Sequence, residues 1–209
     1  MFQSLWSILE TNVVKSKNLI NIFDQLSVIT FNYDRTFEHF LYQGLQHAFH
    51  LPPDEAALIV NGKLDIDHVY GKVANLPWQA DGRGHAFGKS PSPHDLVALW
   101  QRISTYNEEI SDRQFLEKLS LKVADAERII FLGCHFHEQN MKLLRATATA
   151  SHDRNVVVYA TATERSSSAV GQIMEQIASA IASPRGLEMK VDTWDCKRIF
   201  KEFDTTWAR

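Results

Sequence analysis

Apolar residues recur at helical spacing through Phe2, Leu5, Trp6 and Leu9, and again through Leu19, Ile20, Ile22, Phe23 and Leu26. That periodicity collects them on one face and predicts two helices ahead of the first strand. The next run, Val28-Ile29-Thr30, is short and apolar and passes at once into the polar residues Asn32 and Asp34. A strand that ends in an amide and a carboxylate is predicted here. Phe37, Phe40, Leu41, Leu45 and Phe49 then form a helical stripe that stops at Leu51-Pro52-Pro53, because proline cannot continue the helical hydrogen bonds. A shorter helix follows from Asp54 to about Val60, and Asp67-His68-Val69-Tyr70-Gly71 repeats the design of a strand ending in polar groups.

From Lys72 to Asp95 the composition shifts to Gly, Pro, His and Ser with little periodicity, which predicts a loop or small insertion. Its length fits a binding lid and a surface excursion equally. Ser111-Asp112 can start a helix carrying Phe115, Leu116, Leu119 and Val123. After it come a strand from Arg128 to Phe131 ending in Leu132-Gly133-Cys134-His135-Phe136-His137, a helix from about Glu138 to Ala150, and a strand from Val156 to Tyr159. A helix around Val170 to Ile181, a strand near Leu187 to Trp194 and a helix near Lys197 to Phe203 complete the series. Alternation of strand and helix predicts an α/β fold with a mainly parallel, doubly wound, Rossmann-like sheet. The 209 residues fit a single domain, 1–209, with 72–95 as its loop or insertion.

Composition narrows the function classes. Two cysteines, Cys134 and Cys196, supply neither a disulfide framework nor a four-cysteine zinc module, so a reducing, cytoplasmic setting is the expectation. A net charge of −3 with interspersed signs gives no broad phosphate-binding surface, and nucleic acid is not an expected partner. No run approaches the roughly 20 apolar residues that cross a bilayer, so no membrane partner is expected either.

Candidate chemistry sits at the strand ends. In open α/β sheets ligands bind beyond the carboxyl ends of the strands, which makes Asn32 and Asp34 ligand-facing candidates; a turn that caps the next helix uses the same two residue types. Gly133 permits unusual backbone geometry and close approach to a ligand. Cys134, His135 and His137 have metal-ligand chemistry but lack a fourth ligand at convincing spacing, and no metal is expected. A helix start with a buried thiol reads the same residues more simply. Gly82, Gly84 and Gly88 neither follow a convincing strand nor precede a clear helix, so they are a weak phosphate loop. Trp78, Trp100, Trp194 and Trp207 are read as core or interface anchors rather than base-stacking platforms.

Three blocks in this order, Thr30-Phe31-Asn32-Tyr33-Asp34 continuing into Arg35-Thr36-Phe37-Glu38, His68-Val69-Tyr70-Gly71, and Leu132-Gly133-Cys134-His135-Phe136-His137 with Asn140, resemble the sirtuin-like superfamily. The likeness is to its bacterial, zinc-free branch found in anti-phage NAD-degrading systems. It spans roughly Val28 to Tyr159. Two departures stand beside it: nothing before Asn32 resembles the family's glycine-rich strand-loop for the pyrophosphate, and Tyr70 occupies the place of its general-base histidine. A longer natural chain, a partner that supplies the loop, and a degenerate site all remain open.

The resemblance implies NAD, or a related nucleotide such as ADP-ribose, as ligand or substrate, and hydrolysis of NAD with release of nicotinamide as the activity. Hydrolysis is favoured over deacetylation. It assigns catalysis to Asn32, with His68 (or His137) standing in as base, and nucleotide contacts to Asp34, Tyr70, Gly71, Gly133, Cys134 and His137. In an extended strand His68 and Tyr70 project to one face, so an exchange of roles between them is sterically conceivable. The competing readings are a catalytically silent nucleotide sensor, a subunit of a homo-oligomer or hetero-assembly, and a fragment of a longer sirtuin-like protein.

Overall fold

A computed structural model describes residues 2–16, 18–79, 84–100, 103, 110, 112–145, 154–181 and 184–202. They fall into two compact units, residues 2–109 and residues 110–207, each taken by itself below. Gly82, Ser111, residues 146–150 of the helix predicted from Glu138 to Ala150, Phe203 and Trp207 lie outside the described residues, as does the side chain of Trp100.

The amino-terminal unit holds a helical core and a two-stranded parallel sheet. Helix α1 spans Phe2–Ser16, α2 Thr36–Phe49 and α3 Pro53–Lys63; β1 spans Ser27–Thr30 and β2 Asp65–His68. Leu9 and Val13 of α1, Ile22 and Phe23, Leu41 and Leu45 of α2, and Ala56 and Val60 of α3 form one buried cluster. Phe2 packs against Phe37 and Phe40, and Trp6 packs edge-on against Phe40. α2 ends where His50 turns left-handed (φ 52°), and Pro53 opens α3, a position where its missing N–H costs nothing.

Two predicted elements differ. The second stripe, Leu19 to Leu26, is not an α-helix but a single 3-10 turn, Leu19–Asn21, whose first turn is capped when Ile20 N donates to Asn18 Oδ1 at 3.2 Å. Turns suffice to bury Ile22 and Phe23, the residues that produced the helical spacing. The loop predicted through Asp95 stops earlier, since helix α4 spans Pro93–Trp100. Its start is a reciprocal capping box: Asp95 N donates to Ser92 Oγ at 3.2 Å, and Ser92 N donates to Asp95 Oδ2 at 3.2 Å. Lys72 to Gln79 and Gly84 to Ser92 carry neither helix nor strand.

The carboxyl-terminal unit alternates α5 (Arg113–Asp125), β3 (Arg128–Phe131), α6 (Glu138–Leu143), β4 (Asn155–Thr161), α7 (Ser167–Ala180), β5 (Gly186–Asp192) and α8 (Cys196–Glu202). All its strand pairings are parallel, in the order β3-β4-β5. β4 lies in the middle and is buried on both faces through Val156, Val158, Tyr159 and Ala160, as a central parallel strand must be. Asp112 and Ser166 cap α5 and α7 by accepting from Phe115 N and Ala169 N. Arg154 donates to the carbonyls of Val123 and Ala126 beside the end of α5. Strands joined through helices, all in parallel pairs, make this the α/β class that the sequence predicts.

Leu45 is wholly buried on α2 whereas Leu58 of α3 is 73% exposed. Leu45→Ala is expected to lower the unfolding free energy by about 2–5 kcal/mol, and Leu58→Ala to change it by less than about 0.5 kcal/mol, both measured by urea denaturation; equal effects would show that α2 does not face the core.

Candidate functional site

β1 and β2 run parallel in register, with Thr30 opposite His68, so the two strands finish side by side at their carboxyl ends. The ladder continues one step further as Val69 N donates to the Thr30 carbonyl at 2.9 Å. Beyond it the chain is fastened at Asn32, Tyr33 and Asp34. Asn32 N donates to Thr30 Oγ1 at 3.1 Å, the Asn32 carbonyl meets His68 Nδ1 at 2.9 Å, and the Tyr33 carbonyl accepts from Val73 N at 3.0 Å. Asp34 Oδ1 then accepts from Thr36 N at 2.9 Å and launches α2. With its main chain tied in this way, the side chain of Asn32 is exposed and makes no hydrogen bond to a described residue. Asp34 is exposed beside it and has one carboxylate oxygen engaged in the turn.

His68 takes a different position from the one the sequence suggests. Its side chain is 5% exposed, and Nε2 lies 3.0 Å from Oε1 of Glu38, whose side chain is fully buried. A peptide carbonyl can only accept, so Nδ1 carries a proton and donates it to Asn32. A second proton lies between Nε2 and Oε1, since two lone pairs would otherwise face one another. Both ring nitrogens are therefore committed to protein groups, and in this geometry His68 braces the Asn32 turn rather than offering a free base. Glu38 lies in the first turn of α2, where the helix dipole favours negative charge.

Tyr70 is not in the strand. β2 ends at His68, and Val69-Tyr70 form a turn closed by Gly71 N donating to the His68 carbonyl at 3.1 Å, with Gly71 at φ 81°. Strand alternation does not extend to Tyr70, which is 3% exposed and packs its ring against Phe31 at 5.9 Å. Burial, and then the neighbouring Tyr33, raise its phenol above the ordinary value.

Arg35 and Glu38 are the residues that sequence reasoning missed. The Arg35 guanidinium, 6% exposed, donates from Nη1 to the carbonyls of Asn75 at 2.8 Å and His85 at 2.9 Å, and so ties the irregular segment to the start of α2. Burial lowers its pKa while Glu38 opposes that shift. A readable signal existed for Glu38. It shares helical phase with Leu41 and Leu45, three and seven residues on, and all three are buried. Further along the same helix, His39 stacks on Phe87 with ring centroids 4.2 Å apart.

In the carboxyl-terminal unit, Gly133 has φ 63°, and its N–H donates to Thr161 Oγ1 at 3.0 Å. A Cβ added there meets nothing within 4 Å, so the glycine is required by the left-handed backbone and not by crowding within the protein. Cys134 Sγ accepts from Phe136 N at 3.4 Å, and burial pushes its thiol pKa up, which disfavours the reactive thiolate. His135 and His137 are exposed with rings 5.9 Å apart. Among the described residues no group of three or more His, Cys, Asp or Glu is placed to hold a metal ion.

Trp78 stacks on Tyr42 at 4.4 Å beside the helical core, an anchoring role. No described helix is long and apolar enough to cross a membrane. No family model matches the chain, and no curated protein or solved structure matches it.

Burial, and secondarily Arg35, lower the pKa of His39 below its ordinary 6.5. The unfolded chain then binds this proton more tightly than the folded one, so its contribution to stability is complete above that value and is lost as pH falls through it. In His39→Phe, which keeps the stack on Phe87, the decline of unfolding free energy below pH 6.5 is expected to be shallower than in the unaltered protein; an identical decline would mean that His39 is protonated alike in both states.

Proposed function

We propose that this chain binds NAD at the carboxyl end of β1 and β2 and hydrolyses it to nicotinamide and ADP-ribose, in the setting of bacterial anti-phage defence. The observation that carries the reading is the exposed amide of Asn32, which has no hydrogen-bond partner among the described residues and stands on a main chain bonded at Asn32 N, Asn32 O and Tyr33 O. A side chain presented in this way has its main-chain anchor held before a ligand arrives and no described internal partner to give up, which meets part of the ordering cost of ligand recognition in advance. The ordered resemblance of Thr30-Phe31-Asn32-Tyr33-Asp34 and His68-Val69-Tyr70-Gly71 to sirtuin-like NAD-degrading proteins supplies the choice of ligand.

In the proposed reaction the bond between the ribose anomeric carbon and the nicotinamide nitrogen breaks, and its electron pair leaves with nicotinamide. Water forms the new bond to that carbon, and its proton passes to solvent. Developing positive charge on the ribose calls for oxygen dipoles and a placed water. The Asn32 amide has an acceptor for one water proton and donors for a ribose oxygen, and the Asp34 carboxylate stabilises positive charge. Neither task needs a metal.

A second reading, a nucleotide sensor that binds without turnover, is favoured by one specific observation: His68 has both ring nitrogens engaged and Tyr70 is buried, so neither offers a free base at the site. Nicotinamide release from NAD by the purified chain separates the two. Turnover that falls by about 100-fold or more in Asn32→Ala, with the fold intact by circular dichroism, is the result expected for the hydrolase; saturable binding of ADP-ribose with no nicotinamide released supports the sensor, and neither binding nor release overturns both.

A further inference from the structure

We propose that Glu38 is a positioning residue for Asn32 and acts through His68; the proposal rests on Asn32 being the ligand-facing group. The chain of contacts is continuous. Glu38 Oε1 meets His68 Nε2 at 3.0 Å, and His68 Nδ1 donates to the Asn32 carbonyl at 2.9 Å. The three residues come from three different elements, the first turn of α2, the end of β2 and the loop after β1. Rotation of the imidazole would break the bond to Asn32, and the Glu38 contact is what opposes rotation from the far side of the ring.

A purely packing role does not account for an acid at this position. Glu38 shares its buried face with Leu41 and Leu45, and an apolar residue there would fill the volume without the cost of removing a carboxyl group from water. Oε2 of Glu38 has no hydrogen-bond partner among the described residues, so the directional bonding of this side chain is spent on His68 alone. The arrangement follows a general pattern in which a carboxylate fixes the tautomer and orientation of a histidine whose other nitrogen does the positioning. Here the histidine acts on a main-chain carbonyl, and the side chain that benefits is the exposed amide on the same residue.

The test compares Glu38→Gln and Glu38→Leu in the full chain, with two readouts. Gln can donate its amide to a neutral Nε2 and restore the contact; Leu keeps the volume and leaves Nε2 without a partner. In nitrogen-15 spectra, the unaltered protein and Glu38→Gln are expected to show His68 protonated at Nδ1 with slow exchange. Glu38→Leu should lose that signature and shift the Asn32 backbone amide, while its melting temperature stays equal or rises. In nicotinamide release, kcat should fall about tenfold or more in Glu38→Leu, with KM within about twofold and Glu38→Gln close to the unaltered protein. Unchanged His68 and Asn32 signals in Glu38→Leu overturn the proposal, as does an unchanged kcat. Should the unaltered chain release no nicotinamide, the hydrolase reading fails, and the spectra alone decide the role of Glu38.

Discussion

The hydrogen bond from His68 Nδ1 to the Asn32 carbonyl is the constraint on which the candidate site depends. Two parallel strands of four residues deliver Thr30 and His68 to neighbouring positions, but parallel pairing alone does not determine what the chain does after it leaves the sheet. The imidazole extends strand order across that exit. It reaches from the last residue of β2 to the second residue beyond β1, and from there to the buried acid of α2. One side chain thus joins the end of β2, the turn after β1 and the helix that follows that turn. Arg35 performs the same service one turn away, where it fastens the carbonyls of Asn75 and His85 to the helix start.

Burial of these polar groups carries a cost, and its distribution is informative. Glu38, Arg35 and the His68 ring are nearly or wholly withdrawn from solvent, whereas Asn32 and Asp34, equally polar and adjacent in sequence, stay exposed. Polar side chains are buried to hold the turn and left in solvent at its tip. A turn serving only to cap α2 needs the bond from Thr36 N to Asp34, and it has no use for a buried acid and histidine beneath it. The glycine turn in the carboxyl-terminal unit is simpler. Gly133 is held by Thr161 from the neighbouring strand, and the Cys134 thiol is tied to a backbone amide, while His135 and His137 stay exposed beyond it.

Much of the fold was legible because it follows from periodicity. Among the described strands, β1, β3, β4 and β5 stand close to where the sequence predicts them, whereas β2 covers Asp65–His68 and stops short of the predicted Val69-Tyr70-Gly71; β4 reads as continuous apolar sequence because both its faces are covered. The helix predicted over Leu19 to Leu26 failed because helical spacing records which residues are buried, and turns bury Ile22 and Phe23 equally well. α4 was readable in Ser92-Pro93-His94-Asp95, a capping box with proline just inside it, but the surrounding glycine and proline masked it. Of the candidate site, the exposed placement of Asn32 and Asp34 just beyond β1 was legible. The commitment of both His68 nitrogens was not, since it depends on Glu38 arriving from 30 residues away, and local pattern carries no record of such a contact. For the same reason Tyr70 looked like part of a strand when the turn at Gly71 had already ended it.

The side-chain amide resonances of Asn32, followed by nitrogen-15 NMR while ADP-ribose is added to the full chain, measure most directly whether this braced turn is a nucleotide site. A saturable shift of those resonances, larger than that of the exposed amides on α3, is the predicted result. ADP-ribose that binds while the Asn32 amide stays unmoved, or that does not bind at all, contradicts it.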